Sequence, residues 1–97
     1  MARELFVREL KISPRTAEKI LTIHGLHEDE VKATIEDQGA WVFSWHYDLE
    51  RGWRAILEGV VIREMACYVV LYPAEGEHGG IWRLGSAYPD ETVEPHE

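Results

Sequence analysis

Eight consecutive positions, Met65-Ala66-Cys67-Tyr68-Val69-Val70-Leu71-Tyr72, are apolar and rich in aromatic and β-branched types. A run with no polar face has to be covered on both sides, which places it in the middle of a sheet. Pro73 ends it, because proline cannot donate to a ladder. Cys67, the single cysteine, falls inside this run, so it reads as a small packed side chain with no disulfide partner in the chain.

The neighbouring stretches supply the other strands. After Gly39 the apolar period changes to two: Trp41, Phe43, Trp45 and Tyr47 share one face, and Val42, Ser44 and His46 the other. Residues 48–52, Asp-Leu-Glu-Arg-Gly, form a polar turn. A second strand runs over 53–61, with Gly59 at a bulge or bend. Ile62-Arg63-Glu64 turns the chain into the central run. Residues 74–80, rich in glycine and charge, form a mobile hairpin loop, and a last strand covers 81–87. From Pro89 onward little can be buried, so the end is expected to fray.

The N-terminal third has the helical period. Ser13-Pro14 combines a capping side chain with a residue suited to the first helical position, and Ala17, Ile20, Leu21 and His24 form one stripe up to Gly25. This predicts a helix over 14–24. A second follows, with Glu28-Asp29-Glu30 in its first turn where the dipole favours carboxylates. Leu26 and Val31 have the spacing of a hydrophobic staple around a cap at His27, Val31, Thr34 and Ile35 face inward, and Gly39 ends the segment. Residues 3–12 fit either an extra N-terminal strand or an irregular arm. The expected fold is α+β, with two N-terminal helices packed on one face of a four-stranded antiparallel sheet. Residues 1–91 are expected to form a single domain and 92–97 an acidic tail.

Charge constrains partners. The formal charge is −8, divided as +2 over residues 1–24 and −10 over 25–97. That balance disfavours a large nucleic-acid footprint, allows a small local basic site, and suits a basic protein partner. No apolar run is long enough to span a bilayer, and the start of the chain has no signal-peptide pattern, so no membrane association and a cytoplasmic location are expected.

Three segments carry a family resemblance. Ile23-His24-Gly25-Leu26 followed by Glu28-Asp29-Glu30-Val31 resembles the helix junction of the BrnT-type toxins. Arg54-Ala55-Ile56-Leu57-Glu58-Gly59, Tyr68-Val69-Val70-Leu71-Tyr72 and Arg83-Leu84-Gly85-Ser86-Ala87 resemble that family's successive strands. The likeness spans residues 14–91. It implies a RelE-like fold and an endoribonuclease toxin of a type II toxin–antitoxin pair, which cuts RNA without metal and is neutralised by a cognate antitoxin. Where the family has a basic residue after the Ser-Ala pair, this chain has Tyr88 followed by Pro89-Asp90-Glu91.

Metal-free RNA cleavage requires a base for the 2′-hydroxyl, an acid for the leaving oxygen and a cation on the phosphate. Arg54 and Arg83, inside strands, suit the phosphate; His46 offers an imidazole for proton transfer; Tyr88 stands at the exit of the last strand. The plainer alternative leaves both arginines solvated or pairs them with Glu58 and Glu64, and leaves His46 on a polar face. Neither a cofactor nor a metal is expected. Gly25 separates His24 from His27 and Glu28, His24 falls on an apolar stripe, and the acidic triplet suits a helix start. The aromatic stripe from Trp41 to Tyr47 packs under the helices or, if open to solvent, offers a partner or base-stacking surface. The function expected beside the ribonuclease is a catalytically silent protein-binding module.

Overall fold

The computed structural model describes residues 3–74 and 79–90. Among them are six strands and two helices: β1 (Glu4–Phe6), β2 (Glu9–Lys11), α1 (Pro14–His24), α2 (Glu28–Gln38), β3 (Ala40–Asp48), β4 (Gly52–Ile62), β5 (Met65–Pro73) and β6 (Ile81–Pro89). The strands form one sheet in the order β1-β3-β4-β5-β6-β2. All neighbours are antiparallel except β2, which runs parallel to β6. The expected four-stranded antiparallel sheet is therefore corrected to a six-stranded, mixed and curled one.

The curl follows from chain reach. Phe6 pairs with Ala40 at one edge of the sheet and Glu9 pairs with Ile81 at the other. The three Cα steps between Phe6 and Glu9 span at most about 11 Å, so the two edges must come that close. Backbone bonds fasten the crossing: Val7 N donates to Gly39 O at 2.8 Å and Arg8 N to Gly80 O at 2.7 Å. Trp82 Nε1 of β6 donates to Phe6 O at 3.1 Å, across the same closure. The stretch read as strand or arm is both in turn, two three-residue strands split by the crossing.

Inside the curl lies one core. Leu5, Val7, Leu10, Trp41, Phe43, Leu57, Val69, Leu71 and Trp82 are buried in one cluster with Ile20, Leu26, Val31 and Ile35 of the helical segment. The helices do not lie side by side on one flat face: α1 packs on β6, while α2 packs on β4 and β2. Their ends match expectation. Ser13 Oγ accepts from Thr16 N at 3.2 Å, Gly25 takes the left-handed conformation at φ 70°, and His27 caps α2 without a side-chain bond. Leu21, placed on the buried stripe, is instead exposed, and of that stripe Ile20 alone is fully buried.

β5 sits between β4 and β6, as its sequence requires, and Cys67 is buried in it. A register shift between Leu57 and Val60 places a bulge at Gly59. β6 extends to Pro89, beyond the expected end at 87, because Cys67 pairs with Pro89 and Tyr68 with Tyr88. The acidic tail over 92–97 and residues 75–78 of the expected hairpin loop lie outside the described residues.

Candidate phosphate-binding site

The outer face of the curled sheet brings together most of the nominated residues. His46 is paired with Arg54, Arg54 and Tyr72 are one step beyond the Ala55–Leu71 pair, Tyr72 is paired with Arg83, and Arg83 with Lys11. These five residues form one row across β3, β4, β5, β6 and β2. At the usual strand spacing the backbones of Arg54 and Arg83 stand about 10 Å apart, with Tyr72 between them. Alternation puts them all opposite the core-facing Ala55, Leu71, Leu84 and Leu10.

Tyr88 is the nominated residue that the row excludes. It lies five residues beyond Arg83, about 15 Å along the strand, with its ring between those of Tyr68, 5.6 Å away, and His24, 5.9 Å away. Tyr72, between Arg54 and Arg83, is the tyrosine of the row.

Around Arg83 the row deepens into a concavity of about 490 Å³, lined by Lys11, Ser13, Thr16, Arg51, Tyr72 and Arg83 above a floor of Ile12, Leu84 and Gly85. Its described lining holds three cations and no carboxylate, in a chain whose acidic groups outnumber basic ones by 18 to 10. Among the described residues, none of the three is in an ion pair. Three cations converging on one hollow, with Arg51 alone of them near a carboxylate that the described residues show, that of Asp48, create a local positive potential that the acidic remainder of the molecule does not predict. The N-terminus of α1, which opens onto the same hollow through Ser13 and Thr16, adds its dipole to that field.

Two local structures build this geometry. In β6 the register shifts between Val70 and Leu71, and Gly85 is the extra residue. A Cβ at Gly85 would overlap the Tyr72 ring, so the glycine lets that ring lie along the floor. In the turn between β3 and β4, Asp48 Oδ1 accepts from Glu50 N at 2.8 Å and from Arg51 N at 3.0 Å. These amides hold the Asp48 carboxyl below its ordinary range, with the Arg54 and Arg51 guanidinium groups adding to the effect. The turn in return presents Arg51 to the hollow.

Arg54 is partly committed. Its Nη1 lies 3.5 Å from Asp48 Oδ2, so its carboxylate is Asp48 and not the expected Glu58 or Glu64. Its Nε is buried without a hydrogen-bond partner among the described residues. Glu58 instead accepts from Ser44 Oγ at 3.0 Å. His46 is exposed at the end of the row and lines a separate hollow with Ser44, Glu58, Tyr68 and Asp90.

Sequence reading missed Lys11, Arg51, Tyr72 and Gly85. Tyr72 was within reach, since the alternation of Val69 and Leu71 puts Tyr72 on the other face. Lys11 and Arg51 left no such signal, because one depends on a parallel pairing and the other on how a turn folds back. Comparison with family models, with curated proteins and with solved structures gave no match, so no relative assigns a role to these residues.

Proposed function

We propose that this chain is a toxin-like, metal-independent endoribonuclease whose scissile phosphate sits in the hollow formed by Lys11, Arg51, Tyr72 and Arg83. The observation that carries the reading is the convergence of three cations, none of them in an ion pair among the described residues, on one hollow of an acidic protein. Cations that hold and neutralise a phosphodiester are the main requirement when no metal is used. The residue patterns shared with the BrnT-type toxins point to the same class, and a cognate antitoxin is the partner that class implies.

RNA supplies its own nucleophile. Loss of the 2′-hydroxyl proton lets O2′ attack the adjacent phosphorus, forming the P–O2′ bond of a cyclic phosphate as the P–O5′ bond breaks, and O5′ leaves with a proton. In this site Arg83, Arg51 and Lys11 bind the non-bridging oxygens, where charge builds up. The Tyr72 hydroxyl donates a proton to O5′, and the 2′-hydroxyl proton passes to solvent water; His46, three strand spacings or about 14 Å from Arg83, stands outside the hollow. Arg54, held by Asp48, keeps positive charge beside Tyr72.

Labelled single-stranded RNA incubated with the full chain in a chelator should yield 2′,3′-cyclic phosphate and 5′-hydroxyl ends. Arg83→Ala should slow cleavage about 100-fold or more, the usual cost of removing a group that stabilises transition-state charge. A 2′-deoxy residue at the cut position should abolish it. Intact RNA after incubation at high protein concentration would remove the catalytic reading. The second reading, a silent protein-binding module, is favoured by the −10 charge over residues 25–97. It predicts a stable complex with a basic partner and no RNA cleavage.

A further inference from the structure

β3 has β4 along one side and the much shorter β1 along the other. β1 pairs with Ala40, Trp41 and Val42, and Phe43 N still donates to Arg3 O at 3.1 Å. Past Phe43, no strand among the described residues lies beside Ser44–Asp48 on that side. The Phe43 bond fixes which groups point there, because alternate residues of a strand direct N–H and C=O to the same edge. Those of Trp45 and Tyr47 therefore face the open side, and among the described residues no backbone group meets them. Such a row of unmet groups is a template for another strand. No lysine, proline or bulge blunts it, whereas on β2 the side chains of Glu36 and Lys32 occupy the Leu10 amide and carbonyl.

The open stretch is complementary to itself. His46 is its centre, so an antiparallel copy turned about His46 sets Trp45 against the copy's Tyr47, and Tyr47 against the copy's Trp45. Each of these pairs exchanges two backbone bonds, and every open group is met. Sliding the copy either way loses pairs, because Arg3 blocks one end and the Asp48 turn closes the other. In the centred register the side chains agree as well. Tyr47, 56% exposed, gains the indole of the copy's Trp45 as a cross-strand neighbour. Arg3 of each copy stands next to the other's Asp48-Leu49-Glu50 turn, so opposite charges meet at both ends.

We infer that the Ser44–Asp48 edge of β3 binds a second copy of this chain, forming a two-fold dimer with one continuous sheet. The inference does not rest on the RNA reading, although it bears on it. The rows of the two copies join at His46, so both cationic hollows open on one face. About seven strand spacings, or at most about 34 Å, separate the Arg83 backbones of the two copies. A short strand pair of this kind buries less than the roughly 1,200 Å² of a stable complex, so the dimer forms reversibly as concentration rises.

Sedimentation of the full chain over a range of concentrations tests this. The parent should pass from monomer to dimer, and its Trp45 and Tyr47 amides should exchange with deuterium more slowly as the dimer forms. Tyr47→Pro removes an outward N–H without touching the β4 ladder, so it should stay a folded monomer throughout, with its circular dichroism unchanged. His46→Glu and His46→Lys each set like charges opposite one another at the two-fold, and each alone should dimerise at least about 5-fold more weakly. Mixed in equal amounts, the two should regain the parent's affinity as a heterodimer. A parent that remains monomeric up to its solubility limit overturns the inference and leaves the edge to a strand from another protein. A dimer that persists in Tyr47→Pro, or charge variants that fail to recover on mixing, places the contact elsewhere and overturns it too.

Discussion

Gly85 decides where Tyr72 can lie. The glycine is the bulge residue of β6, and any side chain there meets the Tyr72 ring. Gly85→Ala should therefore destabilise the fold by about 1–3 kcal/mol, the cost of overpacking, and displace the hydroxyl that the proposed mechanism needs. The double variant Gly85→Ala/Tyr72→Ala removes the overlap, so its melting temperature should lie above the sum of the two single effects. Strict additivity would show that the two residues do not touch. Cys67 is a contrasting case at the same scale. Burial pushes its thiol above the ordinary range, against a weaker opposing bond from the Ile62 backbone, as suits a packing residue and not a nucleophile.

Among elements, β2 shows how a three-residue strand is kept in place. One side pairs with β6; toward α2, two side chains stand in for a strand neighbour. Glu36 Oε2 accepts from Leu10 N at 2.7 Å, and Lys32 Nζ donates to Leu10 O at 2.7 Å. The two side chains also pair with each other at 2.7 Å, one helical turn apart. An open strand edge invites wrong pairing, and this clip closes it. Burial alone would raise the Glu36 pKa, but the Leu10 amide and the Lys32 ammonium outweigh it, and the net shift is downward.

The sign of the pH effect follows. On acidification the unfolded chain takes up this proton before the folded one, so the clip's contribution is complete above the ordinary glutamate range. It is lost as pH falls through the lowered folded value. Glu36→Gln should cost about 1 kcal/mol near neutrality, the lower end expected for a bond to a charged group that remains partly exposed. Its stability should also fall less steeply than the parent's as pH drops through and below the ordinary glutamate range, as read by urea titration at several pH values. Parallel curves would show that the Glu36 carboxylate adds nothing. The β4–β5 hairpin shows a different compromise. Arg63 at φ 53° and Glu64 at φ 66° occupy left-handed conformations without glycine, while Arg63 Nε reaches Glu30 Oε2 at 2.6 Å and ties the turn to α2.

For the molecule as a whole, closure of the curl is the feature on which the site depends. Lys11 reaches the hollow only because β2 lies beside β6, and β2 lies there only because the chain crosses from β1 in two residues. Leu10 is fully buried at that crossing. Leu10→Ala should cost about 2–5 kcal/mol, lowering the melting temperature by at least about 10 °C for a domain of this size. It should also weaken the proposed phosphate binding in step with the loss of β2. A thermal midpoint unchanged within a few degrees would mean that the curl closes without it. Among the described residues no helix is long and apolar enough to cross a membrane.

Sequence by itself determined the local layer of this protein: both helices and their caps, the four long strands, the Gly59 bulge and the internal position of β5. It did so because apolar period and capping chemistry are short-range properties. It also singled out Arg54, Arg83 and His46, which alternation places on one face once the register is known. Two strands of three residues are too short to have a period, and no local pattern records that one edge of a sheet meets the other. Parallel pairing of β2, the arrival of Lys11 and Arg51 beside Arg83, and the separation of Tyr88 from that group were decided by tertiary structure alone. The physical cause is reach: a two-residue crossing bent the whole sheet until its edges met.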